Sequence, residues 1–263
     1  MRWVKLAIII YCLLGCILYY LQDKMLLRGV PVAAYAKWQF TEPFNDVNIV
    51  LDADNQYNLV QFTVPDSIRK GVVLYFHGNR DNISRYAPFA TWFTRNGYEV
   101  WMPDYPGYGK SIGEASEKMF YEEALQVYKL ARSKYEPGKI VLFGKSLGSG
   151  IAAQLASVRD CRQLILETPY YSMTSLVRPY AFIYPLGALM HFKLPTNTYL
   201  PKVTAPVTIF QGTDDGVVPY RNASRLKPLL KPGDRFITVE GGSHNDLGKF
   251  PVVQKAIDSL LRQ

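Results

Sequence analysis

The hydrophobic positions of this chain fall into short apolar runs separated by longer stretches with helical spacing. From the third run onward the runs are apolar throughout, which is typical of strands in a parallel sheet covered on both faces. Strands alternating with helices predict an α/β fold whose connections are right-handed crossovers. Eight strands are predicted, at 47–51, 59–64, 72–76, 99–103, 139–143, 163–167, 207–211 and 235–239.

The clearest helix is predicted over 117–135. Apolar residues recur there at a spacing that places them on one face, which indicates a helix packed on the sheet. These positions are Phe120, Ala124, Val127 and Ala131. A second helical segment is predicted over 151–158, after a glycine-rich turn.

The N-terminus carries a different pattern. Residues 6–21 hold no charge, and with Val4 the apolar span is about 18 residues, just enough to cross a bilayer. We therefore expect residues 1–24 to be an uncleaved signal anchor with a single pass. Arg2 and Lys5 precede the span, and Lys24 and Arg28 follow it, so the positive-inside preference only slightly favours an extracytoplasmic domain.

Two alternatives compete with the anchor. A cleaved signal peptide needs small residues before the cut, and none are well placed after Gly15. The stretch Leu-Leu-Gly-Cys at 13–16 is similar to a bacterial lipoprotein cleavage box, but the apolar stretch Ile-Leu-Tyr-Tyr-Leu follows it instead of polar residues.

Composition restricts the classes of protein that remain. The 263 residues suit one α/β domain, expected over 25–263, and a hydrophobic content of 48% excludes disorder. The net charge is +8, yet no dense Lys/Arg block and no nucleic-acid motif is present, so weak attraction to lipid head groups is favoured over a nucleic-acid partner. Cys161 is the only cysteine outside the apolar span, so neither a disulfide framework in the domain nor a metal site is predicted.

One stretch of the sequence contains a candidate catalytic residue. The strand predicted at 139–143 leads into Gly144-Lys145-Ser146-Leu147-Gly148, which is Gly-x-Ser-x-Gly at a strand-to-helix turn. Such a turn holds the serine in a strained conformation that exposes its hydroxyl, so Ser146 is the candidate nucleophile. The sequence Gly-Lys-Ser also ends phosphate-binding P-loops, but those need a glycine where this chain has Lys139.

A serine hydroxyl becomes nucleophilic when a base removes its proton. Of the three histidines, only His244 both follows Ser146 and lies in a loop after a predicted strand, as the order serine, acid, histidine requires. The acid should follow the strand at 207–211, where either Asp214 or Asp215 is able to orient the imidazole.

An oxyanion intermediate needs two amide donors. One is expected to be the amide of Leu147, and the other to come from the loop after the third strand, where Gly78 allows close approach. Asn79 is the predicted donor of that loop and Arg80 the alternative, whereas His77 is interpreted as structural.

The segment 169–201 is rich in Tyr, Phe, Leu, Met and Pro. It predicts a short lid whose lining favours an apolar acyl or alcohol group. The alternative interpretation is that these residues pack on the edge of the sheet.

Together these motifs resemble the α/β-hydrolase superfamily and, within it, the Bem46-like serine hydrolases of the ABHD13 and ABHD17 type. The resemblance rests on Leu-Tyr-Phe-His-Gly-Asn (74–79), Asp-Tyr-Pro-Gly-Tyr-Gly-Lys-Ser (104–111), Gly-Lys-Ser-Leu-Gly (144–148), Gly-Thr-Asp-Asp-Gly-Val-Val-Pro (212–219) and Gly-Gly-Ser-His-Asn-Asp (241–246). It implies the α/β-hydrolase fold, with a mostly parallel eight-stranded sheet and a short lid, and it implies that Asp215 is the acid. Pro106, and Arg80 with Asp81, depart from the residues common in these relatives.

The sequence therefore predicts a membrane-anchored serine hydrolase that cleaves an acyl ester or thioester of a small-molecule or lipid-like substrate, with no cofactor. An aminopeptidase-like amide hydrolase is the first alternative. A non-catalytic binding protein of the same fold at a membrane is the second. The oligomeric state is left open.

Overall fold

The N-terminal residues form one long helix that lies outside the core. A computed structural model describes residues 1–262 of the chain. Helix α1 (Arg2–Leu26) buries none of its residues and extends two residues beyond the anchor boundary predicted at 24. Among residues 1–262 it is the one helix that is long and apolar enough to cross a membrane.

Within residues 1–262, ten strands form two sheets. In chain order they are β1 (Arg28–Gly29), β2 (Phe44–Val50), β3 (Gln56–Phe62), β4 (Gly71–Phe76), β5 (Arg80–Asp81), β6 (Tyr98–Asp104), β7 (Ile140–Lys145), β8 (Gln163–Glu167), β9 (Val207–Gly212) and β10 (Arg235–Val239). The large sheet has the order β10-β9-β8-β7-β4-β6-β3-β2. Its pairs are parallel except β2 with β3 and β3 with β6. The predicted mostly parallel eight-stranded sheet is confirmed.

Every predicted strand overlaps a strand of this sheet, and the runs at 163–167 and 235–239 match β8 and β10 at both ends. The two-residue strands β1 and β5 are not predicted from the sequence. They pair in parallel with each other. Strands of two residues are too short to show an alternating hydrophobic pattern. Their pairing depends on where the chain after α1 meets the loop after β4.

The other helices are α2 (Ile83–Tyr86), α3 (Thr91–Thr94), α4 (Glu117–Arg132), α5 (Leu147–Ala156), α6 (Met173–Val177), α7 (Leu186–Leu189), α8 (Thr196–Tyr199), α9 (Tyr220–Ala223) and α10 (Pro251–Arg262). Ser116 begins α4 by accepting a hydrogen bond from the amide of Met119. The prediction of helix to 135 is wrong for its last three residues. Helix α5 begins at Leu147 rather than 151, immediately after Ser146.

The core consists of two layers, one on each face of the sheet. Successive residues of β4 alternate between them: Leu74 and Phe76 join the layer under α4 and α5, whereas Tyr75 joins the layer under α3 and α10. Since β4, β7, β9 and β10 are parallel, their carboxyl ends open at the same edge. The loops that carry residues 79, 146, 215 and 244 meet there.

The segment 169–201 fits both interpretations in part. Tyr170, Phe192 and Leu194 are buried in the core, as the sheet-edge interpretation expects. Its middle, which holds α7, stands away from the sheet and exposes Tyr180 and Phe182.

Candidate active site

Ser146 occupies a strained turn between β7 and α5. Its backbone has φ 50° and ψ −115°, a conformation that L residues rarely adopt. The flanking glycines are required by space: a Cβ on Gly144 would lie 2.5 Å from the carbonyl oxygen of Gly148, and one on Gly148 would lie 2.0 Å from that of Phe76. The turn thus fixes the serine at the carboxyl edge of the sheet.

Three side chains from different loops meet at this turn. The Ser146 hydroxyl lies 2.9 Å from Nε2 of His244, and Nδ1 of His244 lies 2.8 Å from Oδ2 of Asp215. A carboxylate only accepts, so the imidazole Nδ1–H donates to Asp215, and Nε2 is left to accept from the Ser146 hydroxyl. All three residues are buried, with 8%, 9% and 5% of their surface exposed for the serine, histidine and aspartate.

The structure places Asp215, and not Asp214, against the histidine. The other carboxylate oxygen of Asp215 accepts from the amides of Val217 and Val218 at 2.8 and 2.7 Å, which fixes the orientation of the carboxylate. Gln211 also donates to Oδ2 at 3.2 Å. The Asp214 carboxylate accepts a hydrogen bond from the Thr213 hydroxyl, on the exposed side of the turn.

The loop after β4 passes directly over Ser146. A Cβ on Gly78 would lie 3.7 Å from that of Ser146, so the loop packs closely against the serine. Within residues 1–262 the N–H of Asn79 donates no hydrogen bond. On the opposite side, the N–H of Leu147 belongs to the first turn of α5 and has no intrahelical acceptor. Asn79 and Leu147 are the two donors that the sequence predicts, and their role in holding an oxyanion stays a prediction.

His77 supports this loop from below. Its ring is buried, with Nδ1 2.8 Å from the carbonyl oxygen of Gly78 and Nε2 3.1 Å from a carboxylate oxygen of Asp104. Burial raises the pKa of Asp104, and the bond to His77 opposes that rise. Both ring nitrogens of His77 are therefore engaged by the Gly78 carbonyl oxygen and Asp104.

Sequence reasoning missed a buried ion pair beside the serine. Lys145 and Glu167 are paired across β7 and β8, and Lys145 Nζ also lies 3.4 Å from the carbonyl oxygen of His244. The signal available in the sequence was a lysine inside the serine turn together with a glutamate at the end of the next predicted strand. The pair connects the serine turn to the histidine loop.

The cleft above Ser146 is small, with a volume of about 30 Å³, and its rim is basic. Arg80 and Arg85 line it with exposed side chains, and no acidic side chain of residues 1–262 lines it. The Tyr86 hydroxyl also faces this cleft, and burial raises the pKa of Tyr86 to about 12, which keeps the phenol protonated.

Comparison with known proteins identifies the scaffold. A family model described as serine aminopeptidase S33 (Hydrolase_4) matches residues 67–197, a range that includes β4 to β8 and Ser146. An esterase of Pyrococcus furiosus, Pf2001, superposes with a TM-score of 0.68 at 17% identity, covering 89% of this chain and 97% of its own. The chain belongs to the α/β-hydrolase superfamily. The predicted fold class is thereby confirmed.

Sequence relatives of this α/β-hydrolase come from animals and bacteria. The α/β-hydrolase domain-containing protein 17C of Xenopus tropicalis is 30% identical over 178 residues, which cover 66% of this chain and 56% of the relative. The uncharacterised protein YfhR of Escherichia coli is 25% identical over 216 residues, 78% of this chain and 75% of its own length. The chain thus spans less than two thirds of the first of these relatives.

Proposed function

We propose that this protein is a membrane-anchored serine hydrolase of the Bem46-like type that cleaves an acyl ester or thioester. The observation that carries the proposal is the continuous hydrogen-bonded relay from Ser146 through His244 to Asp215, beneath a loop with a free amide. A buried relay of this kind lets a serine act as a nucleophile. This geometry is the reason to prefer an enzyme over a non-catalytic binding protein.

In the proposed reaction the Ser146 oxygen attacks the carbonyl carbon while Nε2 of His244 takes the hydroxyl proton. Asp215 stabilises the imidazolium that forms, and the amides of Asn79 and Leu147 hold the oxyanion. His244 then gives the proton to the departing alcohol or thiol, which leaves an acyl-enzyme. Water then attacks the acyl-enzyme while His244 takes its proton, and His244 returns this proton to the Ser146 oxygen as the acyl–serine bond breaks and the acid leaves.

The charge around the cleft favours an ester or thioester over an aminoacyl amide. An aminopeptidase must hold the protonated amine of its substrate, which calls for a carboxylate near the serine. The rim instead carries Arg80 and Arg85, and Glu167, which is buried on the strand beside the serine turn, is paired with Lys145. A free α-amine would meet repulsion there.

The membrane attachment and domain limits form part of the same proposal. Helix α1 would anchor residues 25–263 to a bilayer in a single pass, with the domain on the extracytoplasmic side and 169–201 as the lid. Protease added to intact cells or spheroplasts is expected to reach the domain. Full protection of the domain until the membrane is opened would contradict this orientation.

A fluorophosphonate probe tests the nucleophile. The full chain in detergent should be labelled, whereas Ser146→Ala should not. Ser157→Ala is the matched control, because Ser157 lies at the other end of α5 and bonds only locally to Gln154. Equal labelling of Ser146→Ala and the wild type would remove Ser146 from the proposed role.

Substrate class is tested by turnover of p-nitrophenyl esters of graded chain length beside aminoacyl anilides. We expect the esters to be cleaved faster. Faster cleavage of the anilides would favour the aminopeptidase alternative, which the name of the matching family model also suggests.

A further inference from the structure

Helix α1 is clamped to the lid at two levels. Near its middle, the Tyr11 ring stacks on Tyr184 with centroids 4.7 Å apart, and the two hydroxyls donate to the carbonyl oxygens of Ile183 and Tyr11 at 3.1 and 3.0 Å. Near its end, Gln22 donates to the Leu189 carbonyl oxygen at 3.0 Å. The levels are eleven residues apart, or about 16 Å along the helix axis.

The sequence of α1 permits this contact. A Cβ on Gly15 would lie 2.9 Å from the Tyr184 ring, so a larger residue would push the lid away. At the end near the domain, Asp23 pairs with His191 at 2.9 Å. The lid and the helix therefore form one unit along more than half of the length of α1.

A cavity of about 460 Å³ lies between α1 and the lid, and its lining on the α1 side runs from Gly15 to Arg28. Its volume falls in the range of sites that hold small organic ligands. Most of its walls are aliphatic or aromatic, with α1 on one side and the lid on the other. Characteristic residues are Leu18, Leu176, Val177, Ala181 and Leu189, and Arg28 lies at the end nearest the domain. It shares no lining residue with the cleft at Ser146.

The outer surface of the lid indicates whether water or lipid surrounds this cavity. Residues 179–190 contain no charged side chain. Tyr180 and Phe182 point outward with 85% and 74% of their surface exposed. The clamp at Tyr11 holds this apolar tip beside the uncharged middle of α1, so a bilayer crossed by α1 also surrounds the tip.

We propose that this cavity binds one acyl chain of a bilayer lipid. The chain would enter from the hydrocarbon region between α1 and the lid, with its head group near Arg28, the basic residue at the polar end of the cavity. An apolar space that opens to hydrocarbon is filled by lipid, since the side chains that line an empty cavity would lose dispersion contacts that an acyl chain restores. The site is independent of the proposed hydrolysis at Ser146.

The test uses the full chain in nanodiscs of phosphatidylcholine doped with phosphatidylcholine that carries a diazirine in the middle of one acyl chain. After irradiation, mass spectrometry locates the cross-linked residues. We expect cross-links on cavity residues such as Leu18 and Leu176, exceeding those on the outward-facing Ile17. The same map is expected for Ser146→Ala, which separates lipid binding from hydrolysis.

Two substitutions on the lid sharpen the test. Ala181→Trp fills the cavity and should reduce cross-links to Leu18 and Leu176 about fivefold or more. Ala188→Trp, on an exposed lid position outside the cavity, should leave them unchanged. Val177→Trp serves as a second filling variant, and retained fluorophosphonate labelling shows that each variant is folded.

Cross-links that favour Ile17 and Phe182 over the cavity residues would overturn the proposal, because lipid would then contact only the outer surface. Cross-links to Leu18 and Leu176 that persist in both filling variants would overturn it as well. A lid with no cross-links at all would show that it does not reach the bilayer, with the same consequence.

Discussion

The side-chain amide of Asn79 donates to the carbonyl oxygen of Leu26 at 2.7 Å. This bond joins the last residue of α1 to the loop that passes over Ser146. The backbone reinforces it, because the carbonyl oxygen of Asn79 accepts from the Arg28 amide at 2.9 Å and from the Tyr108 hydroxyl at 3.0 Å. The end of the N-terminal helix therefore helps to fix the position of the Asn79 amide.

We expect Asn79→Ala to lower kcat on a soluble short-chain ester about tenfold with little change in KM. The backbone N–H is still present in this variant, but the loop that orients it loses the hydrogen bond to Leu26. Stabilisation of the transition state depends on that orientation. Gln22→Ala is the control, because Gln22 attaches α1 to the lid and not to this loop. Loss of activity in Gln22→Ala equal to that in Asn79→Ala would contradict the specific role of the Asn79 bond.

Asp215→Asn should reduce kcat by roughly 10⁴, since an amide at this position no longer stabilises the imidazolium or enforces the Nδ1–H tautomer. Asp214→Asn should stay close to the wild type, because the Asp214 side chain accepts a hydrogen bond from Thr213 on the exposed side of the turn. The measurement is kcat on a p-nitrophenyl ester for both variants. A larger loss for Asp214→Asn would reverse the assignment of the acid.

Lys145→Ala should destabilise the fold by about 3–5 kcal/mol, because it leaves the buried Glu167 carboxylate unpaired. The double variant Lys145→Met with Glu167→Met should recover most of that loss, since the two apolar side chains fill a similar volume without an unpaired charge. Denaturation of the full chain in detergent gives both values. A double variant as unstable as Lys145→Ala would show that the ion pair itself is required.

Glu123 should make the stability of the fold depend on pH. It is buried on α4, and neither carboxylate oxygen has a hydrogen-bond partner in the described part of the chain. Burial, together with the charge of Asp104, raises the pKa of Glu123 well above 4.5. The folded state thus keeps a proton that the unfolded state releases, and stability falls as pH rises from about 4.5 towards the folded-state pKa, by at most about 1.4 kcal/mol per pH unit.

Glu123→Gln should remove this decline and raise the stability at pH 8. Thermal denaturation between pH 5 and pH 8 measures the effect. Glu122→Gln is the control, because the Glu122 side chain is only half-buried and its carboxylate pairs with Lys118, so the slope should stay as in the wild type. A wild type whose stability does not decline with pH would contradict the buried, protonated carboxyl.

Much of the scaffold could be read from the sequence because its signals are local. Apolar runs of five or six residues define strands buried on both faces, and the glycines around Ser146 define a turn that few residues other than glycine allow. Chain order then pointed to His244, and the family resemblance to Asp215. The structure brings these side chains together because parallel strands end at a common edge.

Other features depended on contacts between distant parts of the chain. The Lys145–Glu167 pair, the bond between Asn79 and Leu26, and the cavity under the lid each join segments more than 20 residues apart. No periodicity encodes such contacts, because burial, electrostatic pairing and cavity shape are properties of packed surfaces. The sequence by itself determined the strands and helices and the order of the reactive groups along the chain. The tertiary structure decided that Lys145 pairs with Glu167, that the loop of Asn79 is bonded to the end of α1, and where the apolar cavity lies.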